Sequence, residues 1–97
     1  MWIYEKRLQF PVNIKQPNAK MAQFIMSQYG GPDGEMGASM RYLSQRYAMP
    51  YKECKAALTD IGTEELAHLE IVAAIIHQLT RGLSAQELEE QGFGPYY

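Results

Sequence analysis

The sequence predicts an all-α fold with two long helices, a short third helix and an extended N-terminal arm. From position 51 to 81, apolar residues recur at alternating steps of three and four, which is typical of a helix buried along one face. Over residues 1–16 the apolar residues instead fall on even positions, the period-two pattern of an extended segment. Gly and Pro cluster at 30–34 and after position 91, where they interrupt or end helices.

Composition limits the possible classes of protein. The chain has 97 residues, 46% of them hydrophobic and 21% charged, which is ordinary for one small folded domain. A net charge of −2 and a pI of about 5.6 make a nucleic-acid partner unexpected. No apolar run approaches the roughly 20 residues that span a bilayer, so no membrane association is expected. No secretory leader is expected, and the single cysteine, Cys54, is predicted to be a small buried residue. Both observations indicate a cytoplasmic protein.

The arm, 1–16, is predicted to cover apolar surface. Pro11 cannot donate a backbone hydrogen bond, so a central strand is not expected here. The arm is therefore expected to lie on its own helices or on a neighbouring chain. Its apolar residues on even positions are Trp2, Tyr4, Leu8, Phe10, Val12 and Ile14.

The first helical stretch is predicted over 17–49, with Asn18 as its N-cap and a break near 30–34. This break is either a loop between two helices or a kink in one long helix. Pro32 would clash with the carbonyl of Gln28 in a continuous helix, and we favour the kink.

The second long helix is predicted over 51–81, and a short helix over 84–91. Gly82 is the expected C′ residue of the long helix, and Ser84 with Glu87 forms a capping-box pattern. Gly62 lies inside the long helix, where glycine costs about 1 kcal/mol relative to alanine. Its presence predicts close approach of a neighbouring backbone.

Two ionisable residues interrupt the apolar seam of the long helix. The seam consists of Leu58, Ile61, Glu65, His68, Val72, Ile75 and Leu79. Burying an ionised carboxylate costs several kcal/mol unless something compensates it. Glu65 and His68 share a helical face, and the preceding helix carries Glu35 and Tyr42 seven residues apart on one face of its own.

A Glu from one helix with a Glu-x-x-His from the next is half of a dinuclear carboxylate site in a four-helix bundle. Carboxylate and imidazole donors suit manganese or iron. The alternative is a plain Glu65–His68 pair on a partly solvated groove. His77, nine positions after His68, is expected to face away from the site, and Asp60, Glu64 and Glu70 are expected on the solvated face.

Four segments of the sequence resemble the manganese catalases, and most closely their spore-coat relatives. They are MWIYEK at 1–6, GGPDGE at 30–35, MRYLSQRY at 40–47 and DIGTEELAHLE at 60–70. The resemblance implies a ferritin-like four-helix core with a dimanganese centre that cycles between Mn(II) and Mn(III). It also implies conversion of two hydrogen peroxide molecules to water and dioxygen.

The resemblance implies a role for each site residue. Glu35 is expected to be a terminal ligand to one metal, Glu65 to bridge both metals, and His68 to bind one. Tyr42 is expected to be an outer-sphere hydrogen-bond partner of the cluster. The implied cofactor is a manganese pair, although iron is possible with the same donors.

The chain differs from other members of the family because it carries only half of their metal ligands. It is expected to form a ferritin-like helical hairpin, half of a four-helix bundle that another chain or a missing half completes. A homo-oligomer, at least a dimer, could bring in the same ligands twice. Three functions remain open: a peroxide-dismutating enzyme, a structural spore-coat component that contacts other coat proteins, and a di-iron oxidase. Contacts in a coat are expected from exposed aromatics of the arm and of the tail at Phe93, Tyr96 and Tyr97.

Overall fold

The computed structural model describes residues 3–96, so the expectations for Trp2 and Tyr97 lie outside the described residues. The fold is all-α, as predicted, and contains no β-strand within 3–96. Its helices are α1 (Ala19–Gly30), α2 (Glu35–Gln45), α3 (Lys52–Leu79) and α4 (Ala85–Glu90), with 3₁₀ turns at Arg46–Ala48 and Gly94–Tyr96. No helix in this part of the chain is both long and apolar enough to cross a membrane.

The break between α1 and α2 is a turn between two helices, so the interpretation as one kinked helix is wrong. Gly31, with φ −75° and ψ 167°, is extended and ends α1, and its carbonyl accepts a bond of 2.9 Å from the Gly34 N–H. The turn packs against the last turns of α1, where a Cβ on Gly34 would lie 2.7 Å from the Ser27 carbonyl oxygen. Glycine therefore permits a tighter reversal than a kinked helix would give.

The N-terminal caps form as the sequence predicts. The Asn18 side chain accepts a hydrogen bond of 3.0 Å from the Met21 N–H at the start of α1. Ser84 and Glu87 form the reciprocal capping box of α4. Both caps satisfy backbone donors that the first turn of a helix leaves unpaired.

Helices α2 and α3 pack closely at Gly62, although the predicted approach of a neighbouring backbone is wrong, because the nearest groups are side chains. A Cβ on this residue would lie 2.9 Å from Leu43 Cδ2 and 3.3 Å from Tyr42 Cβ. The buried Ser39 hydroxyl of α2 donates a bond of 2.7 Å to the Gly62 carbonyl. The approaching groups are thus side chains of α2, and they fix its position along α3.

The buried core lies toward the end of α3, where α1 and the residues after α4 cover it. It consists of Ala22, Met26, Val72, Ile76, Leu79 and Phe93. The expectation that Phe93 is an exposed tail aromatic is wrong, because its side chain is 1% exposed. Gly92, with φ +86°, turns the chain back, and the Phe93 N–H bonds to the Leu88 carbonyl at 2.9 Å. Tyr96 is exposed, as expected.

The arm lies on α3 of its own chain. The Tyr4 hydroxyl donates to the Glu70 carboxylate at 2.7 Å. The Gln78 side chain donates to the Val12 carbonyl at 2.8 Å and accepts from the Ile14 N–H at 2.6 Å. These bonds join segments more than 60 positions apart, so they attach the arm to the long helix.

Two residues predicted to be buried are exposed. Ile61 of the seam is 44% exposed, whereas Val72 and Leu79 further along it are buried. Cys54 is exposed because it lies in the first turn of α3, where residues 52–57 are all exposed. The described chain thus covers the second half of the α3 seam more completely than the first.

Candidate metal centre

Three side chains from two helices converge at the middle of α3. Glu35, Glu65 and His68 each offer one ligand atom, and these atoms lie within 4.8 Å of one another. Nδ1 of His68 is 3.3 Å from Oε2 of Glu65 and 3.7 Å from Oε2 of Glu35. The structure therefore brings together the three residues that the sequence predicts as metal ligands.

Local structure explains the convergence. Glu65 and His68 are three positions apart on α3, so both side chains project from one face. Glu35 is the first residue of α2, directly after the N-cap Gly34 that ends the tight turn. The Ser39–Gly62 bond, one turn further along α2, fixes the register between the two helices.

The cluster is partly covered. The Glu65 side chain is 15% exposed, while those of Glu35 and His68 are 31% and 36% exposed. The predicted burial is thus nearly reached at Glu65. At Glu35 and His68, the described residues leave one side of the group open.

The carboxylates of Glu35 and Glu65 lie close together in the site. The hydrogen bond with Glu65 raises the pKa of Glu35 above its usual value, and burial and repulsion by the Glu65 charge act in the same direction. A nearby His68 opposes this rise in pKa. A bound cation would remove the repulsion, and two carboxylates with one imidazole are a donor set that manganese and iron accept. The residues therefore fit such a metal.

Tyr42 lies on α2 beside Gly62, half-buried, one turn of α3 from Glu65. Within residues 3–96, no hydrogen bond joins its hydroxyl to the three clustered side chains. Its outer-sphere role stays a prediction. His77 is exposed and is not part of the cluster, in agreement with the helical spacing.

Glu64 is a neighbour of the site that the sequence analysis assigned to the solvated face. Its side chain is 54% exposed, yet Oε1 lies 4.0 Å from Nε2 of His68. The same oxygen accepts a hydrogen bond of 3.1 Å from Gln9 of the arm. The i, i+4 spacing of Glu64 and His68 was the available signal for this contact. Nothing in the sequence indicated the contribution of Gln9.

Comparison with known proteins identifies the family. A family model described as manganese containing catalase matches residues 1–94. The chain belongs to the manganese catalase family. It is 48% identical to Protein CotJC of Bacillus subtilis over 97 residues, which are all of this chain and 51% of that protein. It is 41% identical to a probable manganese catalase of Clostridium acetobutylicum over 81 residues, 81% of this chain and 36% of that protein.

A solved structure supports the fold of this family member. KatB, a manganese catalase from Anabaena, superposes with a TM-score of 0.85 at 30% identity, over 99% of this chain and 44% of that one. The predicted resemblance and the helical hairpin are both confirmed. The chain spans about half the length of CotJC and a smaller share of the catalases.

Proposed function

We propose that the chain provides half of the ligands of a dinuclear manganese centre that disproportionates hydrogen peroxide to water and dioxygen. The convergence of Glu35, Glu65 and His68 within 4.8 Å carries this proposal. Membership of the manganese catalase family favours manganese over iron. When bound, the manganese pair supplies the electrons that are exchanged with peroxide.

The chain's own residues hold the metals and limit access to them. Glu65, the least exposed of the three side chains, would hold the metals together with Glu35 and His68. Tyr42 is proposed to steady a ligand by a hydrogen bond without binding a metal itself. The open side of the cluster, at Glu35 and His68, leaves room for further ligands.

A second set of ligands is needed for a pair of metals. We propose that a homo-oligomer, at least a dimer, supplies it, because a two-fold interface brings the same three side chains to one place twice. Four carboxylates then balance the charge of two divalent cations. The molar mass of the manganese-loaded chain in solution tests this step, and a monomer that binds metal and evolves oxygen would contradict it.

Oxygen evolution from hydrogen peroxide after manganese loading tests the proposed activity. We expect Glu65→Ala and His68→Ala to abolish both oxygen evolution and stoichiometric manganese binding. His77→Ala is the matched control, because it removes the other, exposed histidine of the same helix and should leave both unchanged. Equal activity in all three variants would end the proposal. Metal analysis of protein purified without added metal distinguishes manganese from iron.

A structural role in a spore coat, with metal that only stabilises the bundle, is the second candidate. Its support is the resemblance of the sequence to the spore-coat relatives of the manganese catalases, together with the 48% identity to CotJC over the whole chain. The aromatic residues of the arm, such as the 61% exposed Phe10, would then make contacts in the assembly. This candidate predicts metal binding without oxygen evolution, and loss of oligomers when residues 1–14 are removed. Normal assembly of the truncated chain would contradict the role of the arm.

A further inference from the structure

The two ring nitrogens of His68 face different carboxylates. Nδ1 points to the cluster, 3.3 Å from Glu65 and 3.7 Å from Glu35. Nε2 faces Glu64 on the opposite side, at 4.0 Å from its Oε1. Glu64 is therefore outside the group of three ligands but next to the free nitrogen of its only imidazole.

We propose that Glu64 is a positioning residue for His68 and that Gln9 of the arm holds Glu64 in place. A histidine that binds a metal through one nitrogen usually donates its other N–H to a carboxylate, carbonyl or water, which fixes the tautomer and the orientation of the ring. With Nδ1 turned to the metal, the hydrogen is on Nε2, and Glu64 is the carboxylate that faces it. This inference rests on the proposed metal site.

Gln9 explains how an exposed carboxylate is held near the ring. A glutamate that is 54% exposed would otherwise sample several rotamers in solvent. The Gln9 side-chain amide donates to Oε1 of Glu64 at 3.1 Å, and this is the oxygen that faces Nε2. A hydrogen bond between Nε2 and Oε1 needs the pair to close by about 1 Å.

The surroundings allow this closure. Gln9 and Glu64 both line a groove of about 1190 Å³ between the arm and α3, so the Glu64 side chain has room to rotate. The arm thereby contributes to the metal site without contacting it. Another attachment of the arm, Tyr4 to Glu70, lies on the same helix but makes no described contact with His68, and it offers a matched control.

The test uses the 97-residue chain with Zn²⁺, a diamagnetic ion that accepts oxygen and imidazole donors. Calorimetry gives the affinity, and NMR of ¹⁵N-histidine-labelled protein gives the tautomer of His68 and the solvent exchange of its ring hydrogen. The chain has two histidines, so His77→Ala assigns the signals. The variants are Glu64→Ala, Glu64→Gln and Gln9→Ala, with Glu70→Ala as the control because it removes the acceptor of the Tyr4 hydroxyl.

We expect wild-type His68 to carry a slowly exchanging Nε2–H in the zinc-bound protein. Glu64→Ala should lower the affinity about 10- to 100-fold and expose this hydrogen to fast exchange. Glu64→Gln retains an acceptor oxygen and should recover part of both losses, and Gln9→Ala should produce a smaller loss than Glu64→Ala. Glu70→Ala should change neither readout.

Three other outcomes would each refute one step of this proposal. Wild-type affinity and a protected Nε2–H in Glu64→Ala would refute the role of Glu64 and leave the metal site intact. An equal loss in Gln9→Ala and Glu70→Ala would show a general effect of arm attachment and refute the specific role of Gln9. A wild-type chain that binds neither Zn²⁺ nor Mn²⁺ would refute the proposed function itself, and this inference with it.

Discussion

Substitution of Gly62 by alanine tests whether the contact between α2 and α3 positions the metal ligands. In an unobstructed helix this change stabilises by about 1 kcal/mol. Here the new Cβ would lie 2.9 Å from Leu43 Cδ2 and 3.0 Å from Leu43 Cγ, so α2 or the Leu43 side chain must shift. Overpacking of this kind costs about 1–3 kcal/mol. The two effects leave a net loss of about 0–2 kcal/mol in the free energy of unfolding.

A double-mutant cycle isolates the clash. Leu43→Ala removes both close atoms and leaves the contact of 3.3 Å with Tyr42 Cβ, which needs only a small adjustment. In that background Gly62→Ala should stabilise by up to about 1 kcal/mol. The coupling energy between the two sites should thus be about 1–3 kcal/mol.

Urea unfolding of the metal-free chain, followed by far-UV circular dichroism, measures these free energies. Calorimetry with Mn²⁺ measures the effect on the site. A shift of α2 moves Glu35 relative to Glu65 and His68, so Gly62→Ala should also weaken Mn²⁺ binding. A variant that is more stable by the full helix-propensity gain, with unchanged Mn²⁺ affinity, would refute the idea that this contact sets the site.

Three further outcomes concern the rest of the fold. Ser39→Ala should cost about 1 kcal/mol of unfolding free energy, because it removes a buried hydrogen bond to an α3 carbonyl, and urea titration measures this. Phe93→Ala should cost about 3–5 kcal/mol in the same assay, since the ring is 1% exposed, and an effect below 1 kcal/mol would contradict its burial. The hydrogen bond to Glu70 raises the pKa of Tyr4 above 10.0. The stability that this bond contributes is therefore present below about pH 10 and is lost as the pH rises through the raised pKa. Glu70→Gln should return the Tyr4 pKa toward 10.0, which NMR of ¹³C-labelled tyrosine detects.

Local signals predicted the helices and two of their N-terminal caps because the interactions involved are short in sequence, whereas α3 ends with Thr80 as its C-cap and Gly82 is not its C′ residue. The Asn18 cap and the Ser84–Glu87 box each need only residues three positions apart. The apolar residues of the α3 seam recur with helical spacing in the sequence, and Glu65 and His68 interrupt that pattern. The turn at 30–34 was harder to predict, because its choice between kink and loop depends on packing of Gly34 against the end of α1.

Long-range contacts determined the features that the sequence analysis missed. Phe93 is buried because the chain after α4 turns back onto α1 and α3, and no local pattern encodes that return. Ile61 belongs to the same stripe as the buried residues but is exposed, since burial depends on which elements cover each part of a helix. Glu64 faces His68 on one side and the arm on the other, a pairing across 55 positions.

The sequence by itself determined the identity of the helices and the placement of two metal-ligand types on one helical face. Both follow from backbone geometry, which repeats every 3.6 residues whatever surrounds it. Only the tertiary structure decided that Glu35 reaches Glu65 and His68, and that the arm attaches beside them. The reason is that the distance between α2 and α3 is set by the missing Cβ of Gly62 and the buried Ser39 bond, and these act between segments far apart in the chain.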